Sequence, residues 1–249
     1  MIDTHCHIYS EYYDNIPELI SKIKDSGVEK IIVNGCNMET NLEVLELVKK
    51  YDIVYGAIGF HPTELSADYV NEIEWLKDHI NDDKIVAIGE IGLDYHYPDT
   101  NKKNQLDAFI RQLDIAKKFQ KPIIVHSRDA INDTYETLKK YNLKGSIHCY
   151  SGSLEMAKEF IKIGYYIGVG GVCTYKNAKN IINVIKNISL AYILLETDSP
   201  YLSPEGHRGK QNTPVNIPII ARKISEIVDV PISKVALETT DNANRLFDF

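Results

Sequence analysis

The chain has 249 residues, of which 44% are hydrophobic and 25% are charged, and its formal net charge is −7. This length suits one large α/β domain, and no run of about eighteen apolar residues suggests a membrane-spanning helix. The negative charge argues against a broad basic surface for nucleic acid, although bound divalent ions can supply positive charge locally. Four well-separated cysteines without a C-x-x-C pair predict small buried thiols in a reducing, cytoplasmic compartment.

Apolar runs typical of buried strands alternate with segments of helical apolar spacing along the whole chain. The first strand is predicted over residues 1–7 and the first helix over 17–24, before Gly27. Seven more strands are predicted over 30–35, 53–59, 84–90, 123–126, 144–149, 165–169 and 192–198, and eight more helices over 40–51, 67–80, 101–119, 130–141, 154–163, 178–187, 214–228 and 233–246.

Eight strand–helix alternations predict a parallel sheet covered by helices. At this chain length a closed (β/α)8 barrel, the TIM barrel, fits best, and a doubly wound open sheet is the alternative fold. No linker or low-complexity tract interrupts the pattern, so we expect residues 1–249 to form a single domain.

Two histidines on the first strand form the first candidate for a metal site. Side chains alternate between the faces of a strand, so His5 and His7 point the same way and Cys6 points away. Imidazole nitrogens are common metal ligands, but such a pair also occurs by chance. The remaining ligands must therefore come from other strands.

Four more ionisable residues fall at the carboxyl ends of predicted strands, where TIM barrels build their active sites. Buried carboxylates and imidazoles are unfavourable without partners, and shared cations would satisfy all of them. In the alternative interpretation each has its own hydrogen bonds or solvent contact. Two divalent ions suit the set, with zinc or manganese favoured by the nitrogens and magnesium by the carboxylates. The complete candidate set is His5, His7, Glu90, His126, His148 and Asp198.

Five ordered motifs resemble those of the TatD family of metal-dependent hydrolases, which belongs to the amidohydrolase-type metal barrels. The resemblance covers nearly the whole chain, as far as NANRLF at 242–247, and implies a divalent-metal-dependent deoxyribonuclease. The usual activity would be 3′-to-5′ exonuclease action on single-stranded DNA, with RNA as a further substrate. The motifs are DTHCH at 3–7, GEIGLDY at 89–95, HSR at 126–128, HCYSG at 148–152 and ETDSPYL at 196–202.

The resemblance also implies a role for each ligand. His5 and His7 would hold the first metal together with Asp198. Glu90 would bridge both ions, in place of the modified lysine found in the wider superfamily. His126 and His148 would hold the second metal.

The expected chemistry follows from two bound ions. A bridging water loses a proton, and the resulting metal-bridged hydroxide attacks the phosphodiester in line with the leaving oxygen. We expect Asp198 to act as the base that orients this water, with Glu90 completing the catalytic pair. The metals also neutralise charge that grows on the phosphate.

Loop residues near the predicted barrel mouth are candidates for substrate binding. His61 is placed to donate to a phosphate oxygen, or else to cap or pack. Arg128 is placed to meet a phosphate, with an ion pair to Asp129 or Glu136 as the alternative. His207 and Arg208 lie in the glycine-containing basic loop after strand eight, a common phosphate-binding position in barrels, and the alternative is a solvated loop.

Several nearby residues are expected to support the site. Asp94, Tyr95 and His96 follow Glu90 closely and are candidates to orient metal ligands. Among sixteen tyrosines, only Tyr150 and Tyr201 are placed near the mouth, and most of the others should pack helices on the barrel.

Two other functions remain open from the sequence. The same barrel and metals activate water against amides, lactones or the ester of a misacylated tRNA. A non-catalytic metal-binding scaffold is a second alternative, although structural metal sites are closed and rarely need six ligands at a barrel mouth. We expect a monomer that acts on single-stranded DNA and has no membrane partner.

Overall fold

The computed structural model describes residues 1–249, and its eight strands form one parallel sheet in chain order. The strands are β1 (Ile2–Cys6), β2 (Lys30–Asn34), β3 (Val54–Ile58), β4 (Ile85–Asp94), β5 (Ile123–Arg128), β6 (Gly145–Ile147), β7 (Tyr165–Val169) and β8 (Ile193–Leu195). The helices are α1 (Ile16–Asp25), α2 (Met38–Lys50), α3 (Tyr69–His79), α4 (Lys102–Phe119), α5 (Ile131–Leu138), α6 (Leu154–Lys162), α7 (Lys179–Asn187), α8 (Ile217–Val228) and α9 (Ile232–Phe247). Short 3-10 turns cover Gly171–Thr174, Leu190–Tyr192 and Pro214–Asn216.

The sheet closes where the first strand meets the last. The amide of His7 donates to the carbonyl of Ser199 at 2.7 Å, and the amide of Asp198 donates to the carbonyl of His5 at 2.9 Å. The hydroxyl of Thr4 adds a hydrogen bond to the carbonyl of Leu195 at 3.0 Å. The prediction of a TIM barrel is therefore confirmed, and the open doubly wound sheet is wrong.

The barrel has an apolar floor and a polar mouth. Side chains such as Ile32, Ile124 and Leu194 fill the lower interior, and Leu246 and Phe247 of α9 close it from below. The opposite strand faces pack against the helices in a larger apolar layer. Because the floor is apolar, the buried ionisable residues of the interior collect at the carboxyl ends of the strands. No helix is both long and apolar enough to cross a membrane.

Four strands end two or more residues from their predicted ends, and β5, which continues to Arg128 instead of ending at residue 126, is one of them. Strand β4 continues to Asp94, whereas the sequence predicted its end at residue 90. Strands β6 and β8 end at Ile147 and Leu195, before the predicted ends at residues 149 and 198. Cys149 and Asp198 have positive φ angles of 44° and 55°, which a strand does not accommodate. His148 and Asp198 therefore lie just beyond their strands.

Buried amide side chains from two helices hold the loop after β3. Asn41 of α2 donates to the carbonyl of Gly59 at 2.8 Å and accepts from its amide at 2.9 Å. Gln112 of α4 accepts from the amide of Phe60 at 2.8 Å and donates to its carbonyl at 3.1 Å. Each amide replaces the backbone partner that a neighbouring strand would supply. This loop leads directly into His61.

Replacing Gln112 with Met keeps the side-chain volume but leaves the amide and carbonyl of Phe60 buried without partners. Each unsatisfied group costs about 1–3 kcal/mol, so we expect the free energy of unfolding to fall by about 2–4 kcal/mol. Urea denaturation measures this change. Lys103→Met, at an exposed position on the same helix, is the control and should change stability by less than about 0.5 kcal/mol. An equally small change for Gln112→Met would contradict this account of the loop.

Candidate metal centre

Five histidines surround the carboxylate of Glu90 at the mouth of the barrel. Glu90 is only 3% exposed, and each of its two oxygens faces a different group of imidazoles. A buried carboxylate between two sets of nitrogen donors has the arrangement of a bridging ligand. The five histidines are His5, His7, His61, His126 and His148.

The Oε2 side of Glu90 faces the first strand. The Nε2 atoms of His5 and His7 lie 3.3 Å and 3.5 Å from this oxygen, and 3.1 Å from each other. Oδ1 of Asp198 lies 3.6 Å from both nitrogens. Three of these donor atoms, on His5, His7 and Glu90, therefore lie close enough together to hold one ion, and Asp198 adjoins both histidines. The structure places Asp198 beside the two histidines with which it was grouped from the resemblance.

The Oε1 side of Glu90 faces the fifth and sixth strands. Nδ1 of His126 lies 2.8 Å away and Nε2 of His148 lies 2.9 Å away. These two ring nitrogens are 3.4 Å apart. Nε2 of His61 is also near, at 3.5 Å from the same oxygen. A second group of donors is thus present on the far side of the carboxylate.

Contacts on the outer nitrogens orient two of the ligands. Nδ1 of His7 lies 3.0 Å from the carbonyl of Asn34, and this contact directs Nε2 into the site. Nε2 of His126 lies 3.1 Å from Oδ2 of Asp94. Asp94 therefore has the orienting contact expected of it. Tyr95 and His96, by contrast, pair with exposed carboxylates away from the site.

The electrostatics of the site favour ionised carboxylates. Burial alone would raise the pKa of Glu90, but the surrounding imidazoles lower it well below its usual range. Burial also raises the pKa of Asp198, and a hydrogen bond from His7 with nearby imidazole charge lowers it overall. Burial lowers the pKa of His5 to about 4. Ionised carboxylates and neutral imidazoles are the states that metal binding requires.

Positive charge is needed at this site, and divalent cations fit that need. Burial lowers the pKa of His148, but the carboxylate of Glu90 outweighs it and raises the pKa to about 9. Burial likewise lowers the pKa of His7 and His126, but neighbouring acidic groups outweigh it and raise both. Protons on these three histidines therefore balance Glu90 when no metal does. A divalent cation would balance the negative charge of Glu90, bind several donor atoms at once and displace the protons. The residues present thus fit the metals implied by the resemblance.

The backbone after β8 directs Asp198 into the mouth. Asp198 has a φ of 55°, in the left-handed region that few residues other than Gly, Asn and Asp adopt. Its amide is bonded to His5 of the neighbouring strand, and its carbonyl accepts from the amide of Tyr201 at 2.9 Å. The left-handed turn therefore ends the strand and fixes the carboxylate beside the histidines.

Two cysteines depart from the prediction that all four are buried, because Cys36 and Cys149 are only half-buried and lie at the barrel mouth. Sγ of Cys36 lies 3.8 Å from Nδ1 of His7 and 4.0 Å from Oε2 of Glu90. Cys149 also borders the cavity at the mouth, because its backbone has already left the strand whose alternation would turn it away. Cys6 does point outward, towards the carbonyl of Ile32. Applying the strand-end rule to the second strand would have found Cys36.

The four candidate substrate-binding residues separate into two pairs. His61 and Arg128 line a cavity of about 890 Å³ above the metal ligands. His207 and Arg208 do not line it, and the guanidinium of Arg208 instead lies 4.6 Å from the ring centre of Tyr175. Arg128 has no ion pair with Asp129 or Glu136. The structure therefore brings the first pair to the metal ligands and leaves the basic loop outside the cavity lining.

Comparison with known proteins identifies the family of this chain. A family model described as TatD related DNase matches residues 2–248. The chain is 39% identical over 251 residues to the uncharacterized metal-dependent hydrolase YabD of Bacillus subtilis, covering 99% of this chain and 98% of the relative. The crystal structure of YjjV, a TatD homologue from Escherichia coli K12, matches with a TM-score of 0.96 and 34% identity, covering 100% of this chain and 98% of the other. The chain therefore belongs to the TatD family of metal-dependent hydrolases.

Proposed function

We propose that this protein is a deoxyribonuclease that uses two divalent ions to remove nucleotides from the 3′ end of single-stranded DNA, with RNA as a further substrate. The observation that carries the proposal is the position of Glu90, whose two oxygens each face a separate group of donors. The name of the matching family model supports DNA as the substrate. The four free cysteines support a cytoplasmic location, and we propose a monomer.

The residues of the site have distinct roles in this reaction. Zinc, manganese or magnesium ions held on the two sides of Glu90 would supply an acidified water and neutralise phosphate charge. Asp198, ionised and fixed beside His5 and His7, would accept a proton from the attacking water and return it to the leaving oxygen. Glu90 keeps the two groups of donors at a fixed separation.

His61 has the properties of a donor to the phosphate. Its Nδ1 accepts from the amide of Thr63 at 3.2 Å, so the neutral ring carries its proton on Nε2, which faces the site. Burial lowers the pKa of His61 to about 3, which keeps the ring neutral. Arg128 adds a permanent charge on the same cavity. His207 and Arg208 would contact only a substrate that extends beyond this cavity.

A second candidate function is hydrolysis of a smaller ester or amide, or of the ester bond of a misacylated tRNA. One observation favours it: Arg128 is the only lysine or arginine among the residues that line the cavity. A polyanionic strand therefore gains little electrostatic attraction from the cavity wall itself. A hydrolytic site of this kind is compatible with attack on a carbonyl carbon as well as on phosphorus.

Asp198→Asn removes the proposed base and one metal ligand, so we expect kcat on single-stranded DNA to fall by about 10²–10⁴-fold. The measurement is a time course on 5′-labelled DNA with Mg²⁺, Mn²⁺ or Zn²⁺, compared with EDTA. Wild-type protein should give a metal-dependent ladder that shortens from the 3′ end.

Asp229→Asn is a matched control for this variant, because Asp229 is exposed, ends a helix and has a similar φ of 54°. It should retain wild-type activity. Full activity in Asp198→Asn would contradict the assigned role. No cleavage with any metal would favour the second candidate function, which esters, amides and aminoacyl-tRNA would then test.

Glu90→Gln removes the charge shared by both groups of donors, so we expect metal affinity to fall by about 10–100-fold or more at both positions. Calorimetric titration of the metal-free protein with Mn²⁺ or Zn²⁺ should give two ions per wild-type chain. Glu64→Gln, which removes an exposed carboxylate from the cavity rim, is the control. Unchanged binding of two ions by Glu90→Gln would rule out a bridging role.

A further inference from the structure

Aromatic side chains form much of the rim around the cavity at the barrel mouth. Tyr12 follows β1 and Tyr201 follows β8, whereas Tyr97 follows β4 on another part of the rim, and all three line the cavity. Tyr201 is 51% exposed and Tyr97 is 54% exposed, which is unusual for large side chains in this chain. Exposed aromatic rings at a cavity mouth are characteristic of binding surfaces.

Tyr201 is held in place although half of its surface is open. Its hydroxyl shares a hydrogen bond of 2.9 Å with the hydroxyl of Tyr12, and their ring centres lie 6.0 Å apart. Its carbonyl accepts from Nδ2 of Asn212 at 2.7 Å. A ring fixed in this way loses little side-chain entropy when a ligand packs on it.

The position of Tyr201 relates it directly to the reacting centre. Its ring centre lies 6.4 Å from that of His7, and its amide is bonded to the carbonyl of Asp198. A group that packs on this ring is therefore about one nucleotide unit from the metal ligands. Tyr201 touches the open side of the site, whereas Tyr9 is buried beneath it.

The charge of the cavity makes stacking more important for a nucleic acid. Arg128 is the only permanent cation in the lining, and the rim also carries the carboxylates of Glu11 and Glu64. Single-stranded nucleic acids are held by a combination of phosphate contacts and base stacking on aromatic rings. With few phosphate contacts available from the wall, the exposed rings must supply a larger share of the affinity.

We propose that Tyr201, braced by Tyr12, is the stacking site for a nucleobase next to the scissile phosphate. This inference rests on the proposed nuclease function. It adds that the site recognises a nucleobase of the strand and not only the phosphodiester. Arg128 packs against the ring of Tyr97, with 5.7 Å from guanidinium to ring centre, and offers its charge to a phosphate from elsewhere on the rim. The hydrolytic centre lies between these two parts of the rim.

The test compares two 5′-labelled single strands, one normal and one with abasic sites on both sides of the 3′-terminal linkage. Because one base–aromatic stack has a tenfold or larger effect on binding, Tyr201→Ala should lower kcat/KM on the normal strand by about tenfold. The same variant should leave the abasic strand within about twofold of wild type. Tyr201→Phe keeps the ring and should retain the preference for the normal strand.

Tyr192→Ala is the matched control, because Tyr192 is 42% exposed and precedes β8 at the opposite end of the barrel. This variant should leave kcat/KM unchanged on both strands. Equal losses on both strands in Tyr201→Ala would overturn the stacking role and indicate that the residue only positions Asp198.

Binding gives a readout that does not depend on cleavage. The fluorescence of a strand with 2-aminopurine near its 3′ end should be quenched when it binds the Asp198→Asn protein in Mn²⁺. The double variant that also carries Tyr201→Ala should not quench this fluorescence. If quenching depends on Tyr201 but wild-type protein does not cleave DNA, the nuclease function is rejected and the stacking site is retained. If wild-type protein cleaves DNA and Tyr201→Ala has no effect, only the stacking site is rejected. If neither quenching nor cleavage is observed, the nuclease function and the stacking site are both rejected.

Discussion

The carboxylate of Glu90 is the constraint on which the mouth of this barrel depends. A buried negative charge is strongly unfavourable unless cations or hydrogen-bond donors surround it, and here five imidazoles do so. The sequence around Glu90 makes this approach possible. A β-carbon on Gly89 would lie 2.7 Å from Cβ of Ile124, and one on Gly92 would lie 2.0 Å from the carbonyl oxygen of His126. Only glycines let β4 pack this closely on β5, across the register shift between Ile88 and Ile91.

The residues that stabilise the fold and the residues of the candidate site lie at opposite ends of the barrel axis. Apolar side chains and the end of α9 close the floor, so the lower interior is well packed and dry. The upper interior contains buried polar groups, many of which hydrogen-bond to one another. Asp3 lies between the apolar and the polar parts of the interior and is fully buried. Its carboxylate accepts hydrogen bonds from the amide and the hydroxyl of Thr197 at 3.0 Å and 2.6 Å. This bond joins the first strand to the segment that leads into Asp198.

The fold and the convergence of the six candidate ligands were predictable because both follow from local periodicity. Alternation of strands and helices predicts the barrel, and strand ends predict which ionisable residues meet. The sequence could not predict contacts made by polar residues that look like surface positions. Gln105 and Gln112 are polar residues of α4, yet both are buried and hydrogen-bond to backbone groups at the end of β4 and in the loop after β3. The sequence also could not predict that the basic loop with Arg208 lies outside the cavity lining, because charge at a strand end does not establish that a loop folds over the cavity.

Charge balance links the metal centre to the choice of substrate. Cations bound at Glu90 would neutralise one phosphate, but they cannot attract the rest of a strand across a Debye length of about 8 Å in physiological salt. The chain itself has a net charge of −7, and Arg128 alone adds a permanent positive charge to the cavity. Recognition of a strand would therefore depend on short-range contacts with residues of the rim. Changes in rim residues can then redirect the same hydrolytic centre to another class of ester or amide without altering the metal site.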